Sequence, residues 1–235
     1  MHAQPSPFSV CIPSGGTGTR VGAGIPKQYL PLGGKPVLVR TVGVFTGMEE
    51  CLDIVIAADD VERCAAVMRQ YGFGDRVRVV AGGERRQDSV SRAVETLGES
   101  EGIVLIHDAA RPLVTSGQIR AVVAAITQYG AALLALPARD TIKYVAQQGG
   151  AITRTLDRKS IWLAQTPQGT RINAMRRALD VAREEAYSGT DDAELLERLG
   201  LSVYPVEGST RNIKLTTAED FEIATALLAM SGDNE

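Results

Sequence analysis

Arg20 and Lys27 stand seven residues apart in a segment too rich in glycine and proline to be helical: Gly15-Gly16-Thr17-Gly18-Thr19-Arg20, then Pro26-Lys27-Gln28-Tyr29. Glycines let backbone N–H groups approach an anion closely. The guanidinium and the ammonium supply the charge that neutral amides lack, so the segment has the chemistry of a phosphate cradle. The rival glycine motifs fail. A mononucleotide P-loop needs Gly, four residues, then Gly-Lys-Ser/Thr, and the dinucleotide fingerprint needs a glycine where Val21 stands. The bland alternative is a surface loop with two solvated cations.

Asp108 directly follows the apolar run Ile103 to Ile106, where a carboxylate can face a phosphate-bound Mg²⁺. With Arg20, Lys27, Arg111 and Lys214 as the expected neighbours, a metal ligand is one reading. An ion pair with Arg111 or a cap on the next helix is the other. His107 reads as a packed strand-end residue rather than a base. With only two histidines in the chain, the other in the N-terminal segment, catalysis through a general base is poorly provided for. A phosphate monoester needs no base, because at neutral pH it already carries most of its second negative charge. Cations around one carboxylate suit anion attacking anion, by screening repulsion and stabilising charge on the phosphorus oxygens.

The elements that must hold these groups follow from periodicity. Short apolar runs at Val10 to Ile12, Ile54 to Ala57, Val77 to Val80, Ile103 to Ile106 and Ala131 to Leu136 alternate with helical patterns at Pro36 to Phe45, Val61 to Tyr71, Ser89 to Leu97 and Ser116 to Tyr129. That alternation predicts an α/β fold, a mostly parallel sheet sandwiched by helices, with ligands beyond the carboxyl ends of the strands. Thr141 to Ala146 and Ala151 to Leu156 flank Gln147-Gln148-Gly149-Gly150 and predict a β-hairpin. A lone hairpin is marginal in water, so it must be covered, by a second copy of the chain or by its own domain. Helices are expected at Arg171 to Glu185, Asp191 to Leu199, with Thr190 as N-cap, and Ala218 to Met230, with Thr217 and Asp220 as a capping box. A strand is expected at Val203 to Val206.

The net charge of −3 argues against a broad nucleic-acid surface. No run is long enough to span a bilayer, residues 1–8 read as a frayed tail without signal-peptide character, and the expected setting is the cytoplasm. Cys11, Cys51 and Cys64 lack metal or redox spacing and read as reduced packing residues. One domain over 1–235 is expected, with residues 140–158 as a projecting arm.

Together these residues carry a resemblance. The loop from Gly16 to Arg20 with Pro26-Lys27-Gln28-Tyr29, then Asp88-Ser89-Val90, His107-Asp108-Ala109-Ala110-Arg111-Pro112, Asp140-Thr141-Ile142-Lys143, Asp157-Arg158, Gln165-Thr166-Pro167-Gln168 and Asn212-Ile213-Lys214 recur in order. The chain resembles the 2-C-methyl-D-erythritol 4-phosphate cytidylyltransferases of the non-mevalonate isoprenoid pathway, from about Val10 to Ala229. The resemblance implies a Rossmann-like nucleotidyltransferase fold, Mg²⁺ as cofactor, and a homodimer clasped through the arm. It implies that Arg20 and Lys27 hold the CTP phosphates and stabilise the transition state, with Lys214 on the α-phosphate. Pro13, Ser14, Gly15, Gly16, Gly83 and Ser89 would frame cytosine and ribose. Asp108 would lie near Mg²⁺ and both substrates. Arg111, Thr166 and Thr190 would grip the methylerythritol phosphate with Thr141 and Arg158, at least some of that last pair from the partner's arm.

The chain departs from the family at Ser14-Gly15, where two alanines are usual, at Glu84, where aspartate is common, and in the loose string Gly189-Thr190-Asp191-Asp192-Ala193. The rival readings are a ribitol 5-phosphate cytidylyltransferase, against which Ala109-Ala110 speaks, and a catalytically inactive sugar-nucleotide-binding module. Retention of Arg20, Lys27, Asp108 and Lys214 argues against the latter.

Overall fold

The computed structural model describes residues 6–15, 25–98 and 101–231. Along the chain, β1 (Phe8–Ser14) precedes a short hairpin of β2 (Pro31–Leu32) and β3 (Lys35–Pro36). Then come α1 (Val37–Thr46), β4 (Cys51–Ala58), α2 (Val61–Gln70), β5 (Val77–Ala81), α3 (Arg86–Glu95), β6 (Ile103–Ile106), α4 (Ser116–Tyr129) and β7 (Ala131–Pro137). The arm follows as β8 (Lys143–Val145) and β9 (Ile152–Thr155), then β10 (Trp162–Arg171), α5 (Ile172–Glu184), α6 (Asp192–Arg198), β11 (Tyr204–Glu207) and α7 (Ala218–Ser231). The expected alternation of strand and helix is present. α3 begins at Arg86, three residues before the expected Ser89, and this places an arginine in its first turn.

Seven strands form one sheet in the order β11-β7-β10-β6-β1-β4-β5. All neighbours are parallel except β10, which runs antiparallel to both β6 and β7. Alternation along each strand sorts the core into two layers. Val10, Ile12, Ile54 and Ile56 face α1, α2 and α4, while Cys11, Val55, Ala57 and Ile106 face α3, α5 and α6. Burial on both faces explains why β1 and β6 read as unbroken apolar runs rather than alternating ones. Each fully buried aliphatic side chain there contributes about 1.5–3 kcal/mol.

β10 was not legible as a strand because it contains Pro167 and Gly169, residues that argue against a central strand. The close packing explains the glycine: a Cβ at Gly169 would sit 2.4 Å from the Val104 carbonyl oxygen and 2.8 Å from Leu105 Cδ2. Pairing with β7 breaks between Ala164 and Gln168. Such interruptions re-aim side chains, and this one lies where Gln165 and Thr166 meet the site.

α7 packs on a third cluster containing Leu32, Val37, Ala110, Leu215, Ala224 and Leu228, which seats the Lys214 segment. Thr217 and Asp220 form the expected reciprocal cap, with Thr217 N–H donating to Asp220 Oδ2 at 2.7 Å and Asp220 N–H to Thr217 Oγ1 at 3.3 Å. The expected cap at Thr190 is displaced by one residue. Asp191 Oδ1 accepts from Glu194 N–H at 2.9 Å, and Thr190 instead donates its hydroxyl to Glu194 Oε2 at 2.8 Å. Both residue types suit a cap; the shorter carboxylate at Asp191 is the one set at the non-helical boundary. The three cysteines are buried and unpaired, as expected, and burial pushes the thiols of Cys51 and Cys64 up to about 12 and about 11. Among the described residues, no helix is long and apolar enough to cross a membrane.

Candidate active site

The carboxyl ends of the parallel strands open onto a cavity of about 440 Å³. Each loop beyond a strand contributes to its wall: Pro13, Ser14 and Gly15 after β1, Asp59 after β4, Gly83 to Arg86 after β5, and Asp108 to Ala110 after β6. Lys27, Gln28 and Lys214 complete it. Pro13, Ser14, Gly15, Lys27, Gly83, Ser89, Asp108 and Lys214, separated by up to two hundred residues in the chain, therefore meet at one place. Gly16 and Arg20 lie outside the described residues.

Local structure explains how each is held. Lys27 begins a 3₁₀ turn, Lys27–Tyr29, and the neighbouring Gln28 is buried, its Nε2 donating to the Ser14 carbonyl at 2.9 Å. That bond ties the cationic turn to the end of β1. Gly83 N–H donates to Ser89 Oγ at 3.0 Å, and the Ser89 hydroxyl donates to the Arg85 carbonyl at 3.3 Å. A Cβ at Gly83 would fall 2.3 Å from Asp88 Cβ, so only glycine lets the first turn of α3 close over this loop. Leu215 N–H donates to the Ala110 carbonyl at 2.8 Å, fastening the Lys214 segment to the Asp108 loop.

The electrostatic centre is Asp108, only 7 % exposed. Its Oδ2 lies 2.8 Å from Lys214 Nζ and 3.6 Å from Arg111 Nε, and its Oδ1 lies 3.2 Å from Arg86 Nε. Burial works against the charged form, but Arg86, Lys214 and Arg111 overrule it and hold the carboxyl well below the usual carboxylate range. The ion pair with Arg111 expected as one reading of Asp108 is therefore present, as one of three. Arg86 also reaches Asp192 Oδ2 at 2.7 Å. Burial opposes its charge, and the carboxylates of Asp192 and Asp108 more than offset that, raising it above the ordinary arginine range.

His107 is fully buried and packs edge-on against Phe45 at 5.3 Å between ring centroids. The Arg111 carbonyl, 3.1 Å from Nε2, can only accept, so the proton sits on Nε2. Nδ1 then accepts from the Thr166 hydroxyl at 3.1 Å, and Thr166 Oγ1 in turn accepts the Asp108 N–H at 3.0 Å. Burial holds the imidazole neutral, down to about 4. With both nitrogens engaged, this histidine orders the Asp108 loop and offers substrate no proton acceptor. It is the packed strand-end residue expected from sequence.

Three buried polar atoms have no hydrogen-bond partner among the described residues: Ser14 Oγ, Arg111 Nε and Asn212 Oδ1. All belong to the motifs named above. Unpartnered buried groups concentrated at one site are the mark of a place built to receive a polar ligand. Arg111 is otherwise anchored by Nη1 donating to the Asn212 carbonyl at 2.7 Å, and Asn212 Nδ2 donates to the Thr166 carbonyl at 2.9 Å. Thr166 and Arg111 thus join the site through Asp108 and Asn212.

Thr190, Thr141 and Arg158 are not brought to this cavity within one chain. Thr190 is exposed and bonded to Glu194. Thr141 and Arg158 are exposed at the base of the arm, where the Arg158 guanidinium donates to the Arg139 carbonyl. Four participants went unread in sequence: Arg86, Asp192, Gln28 and Asp59. Arg86 was within reach, since Asp108 buried behind a strand demands more than one cation and an arginine opens the next helix after Gly82-Gly83. Asp192 gave no signal, because its partner lies 106 residues away.

The comparisons follow this geometry. Residues 8–230 match the family model described as 2-C-methyl-D-erythritol 4-phosphate cytidylyltransferase. A protein of that name from Acidobacterium capsulatum is 44 % identical over 229 residues, covering 93 % of this chain and 96 % of its own. The crystal structure of the Thermus thermophilus protein of that name is 32 % identical, with a TM-score of 0.78 over 95 % of this chain and 99 % of its own. The Francisella tularensis structure is 33 % identical, with a TM-score of 0.79 over 94 % and 99 %. With strand order, site motifs and relatives in agreement over nearly its whole length, the chain belongs to the 2-C-methyl-D-erythritol 4-phosphate cytidylyltransferase family.

Proposed function

We propose that the protein transfers CMP from CTP to 2-C-methyl-D-erythritol 4-phosphate, giving 4-diphosphocytidyl-2-C-methyl-D-erythritol and pyrophosphate. The observation that carries this is one cavity that joins a glycine-framed wall, Ser14, Gly15 and Gly83, to the cations gathered around an ionised Asp108, with no free base. The triphosphate lies along Lys27 and Lys214, with Arg20 from the preceding loop. The base and ribose lie against Pro13 to Gly16, Gly83 and Ser89.

An oxygen of the acceptor's phosphate attacks the α-phosphorus in line. A new P–O bond forms, the bond to the oxygen bridging α and β breaks, and its electron pair leaves with pyrophosphate. No proton moves, which is why a neutral, fully bonded His107 is no handicap. Lys27, Lys214 and Arg20 stabilise charge building on the phosphorus oxygens, as preorganised donors do where water is excluded. Arg111, Thr166 and Thr190 orient the acceptor.

Among the described residues no group of three or more histidine, cysteine or acidic side chains could hold a metal. One ionised carboxylate at the cavity wall still fits Mg²⁺, which binds through one or two carboxylates together with substrate phosphates and water. Asp108 is the residue that would hold it. Bound there, Mg²⁺ supplies charge neutralisation between the two anionic reactants.

The active form is a homodimer joined through the arm. β8 and β9 form a two-stranded sheet apart from the main one, with every residue exposed, among them Tyr144, Val145 and Ile152, and Trp162 and Leu163 are exposed close by. A two-stranded sheet needs covering, and a second copy places Thr141 and Arg158 within reach of its neighbour's cavity. Buried, unpaired cysteines suit the cytoplasm. The test is CTP and Mg²⁺ with each candidate acceptor, following pyrophosphate release and product mass. Activity with ribitol 5-phosphate alone would overturn the choice of acceptor. In mixed dimers, an Arg158→Ala chain and a Lys27→Met chain should restore part of the activity that each lacks alone; no restoration would place each site within one chain.

A further inference from the structure

The wall between Gly15 and Gly82 carries a carboxylate that the reaction above does not use. Asp59 follows β4 directly, lines the cavity and is exposed to it. Its Oδ1 lies 2.9 Å from where a Cβ on Gly15 would sit and 3.1 Å from where one on Gly82 would sit. The side chain therefore fills the space that an alanine methyl at position 15 would need. Ser14, whose buried hydroxyl has no partner among the described residues, lines the same wall.

The cavity is thereby divided by charge. Arg86 and Lys214 are paired with Asp108, while Asp59 sits with Gly15, Gly82 and the Ser89 hydroxyl. A triphosphate is drawn to the first group and repelled from the second, so the uncharged base lies by Asp59. A carboxylate only accepts hydrogen bonds. Cytosine presents an exocyclic amine where uracil presents a carbonyl oxygen. We propose that Asp59 accepts a hydrogen bond from that amine and is a specificity-determining residue for cytosine over uracil, with Gly15 as the space that lets its carboxylate reach the ring. The inference rests on the CTP reading of the cavity. It gives the Ser14-Gly15 departure a purpose: without a methyl at 15, a side chain reads the base where backbone contacts alone would otherwise do so.

The test measures binding of CTP, UTP and dCTP, each with Mg²⁺, by titration calorimetry on the whole protein, with melting temperatures to establish that every variant is folded. Gly15 is outside the left-handed backbone region, and its nearest obstacle is the end of a movable side chain, so Gly15→Ala is tolerated. A charge-assisted hydrogen bond at an exposed position corresponds to about a tenfold change in affinity ratio. Asp59→Ala should narrow the preference for CTP over UTP by about that factor, and Gly15→Ala should do the same by pushing the carboxylate aside. The double variant should be no worse than Asp59→Ala, since displacing an absent side chain has no effect. Asp59→Asn, able to turn an N–H toward O4, should bind UTP more tightly than the parent does. A preference unchanged within twofold in Asp59→Ala, or a loss for CTP that dCTP escapes, would overturn the inference, the latter by assigning the carboxylate to the ribose. Failure of the unaltered protein to bind CTP would instead contradict the parent reading.

Discussion

Replacing Arg86 by Met should destabilise the protein by about 3 kcal/mol at pH 7, the low end for stranding one member of a buried ion pair. The magnitude follows from the two carboxylates that it joins. Asp108 would keep Lys214 at 2.8 Å and Arg111 at 3.6 Å, so little of the loss falls on it. Asp192 has a side chain 1 % exposed and Arg86 as its ion-pair partner at 2.7 Å. Burial already raises its carboxyl, and Arg86 is what holds the rise in check. Without the arginine, the folded-state value lies further above the unfolded one, so the charged form is penalised at neutral pH and the penalty is relieved as pH falls and the proton binds. Urea unfolding at pH 7 and pH 5 measures this, the m-value guarding the comparison. At pH 7 the melting temperature should drop by roughly 6–12 °C, the deficit should shrink on acidification, and Asp192→Asn in the same chain should restore more than half of it. A variant within about 1 kcal/mol of the parent, or a deficit that neither pH nor Asp192→Asn alters, would refute the reasoning.

Other consequences are more compact. His107 is neutral in the folded state down to about 4, against an ordinary value of 6.5. Below pH 6.5 the unfolded chain binds a proton that the folded chain refuses, so stability is lost as pH falls from 6.5 toward 4, by about 3 kcal/mol; urea midpoints across that range should show it, and a flat profile would contradict the neutral imidazole. Gly169→Ala places a methyl 2.4 Å from the Val104 carbonyl oxygen, between rigid strands, and should cost about 2–3 kcal/mol in the same assay. Lys27→Met and Lys214→Met should each lower kcat roughly 10²- to 10³-fold with the circular dichroism spectrum unchanged; a rate within twofold of the parent would remove that residue from the transition state.

How much was legible in the sequence depended on how local the physics is. Asp108 was found because a carboxylate at the end of four buried aliphatic residues has one place to go in a parallel sheet, the strand's carboxyl end. The hairpin and the phosphate loop were found because glycine and proline act on their own neighbours. β10 was not, because Gly169 answers to Val104 across the sheet rather than to residues beside it. Arg86 and Asp192 escaped for the same reason: a contact across 106 residues leaves no spacing to read. The Ser14-Gly15 departure was visible, but its cause, the Asp59 carboxylate in the space of the missing methyl, exists only once β1 and β4 lie side by side.

The central claim is that the acceptor's phosphate oxygen attacks the α-phosphorus of CTP in a site that supplies cations and no base. It is tested most directly with acceptor carrying ¹⁸O in its phosphate, incubated with CTP, Mg²⁺ and the protein and followed by ³¹P NMR and mass. The account predicts that all of the label remains in the cytidine diphosphate product, one labelled oxygen bridging the two phosphorus atoms, and that the released pyrophosphate carries none. Label in pyrophosphate, or no product from 2-C-methyl-D-erythritol 4-phosphate, would contradict it.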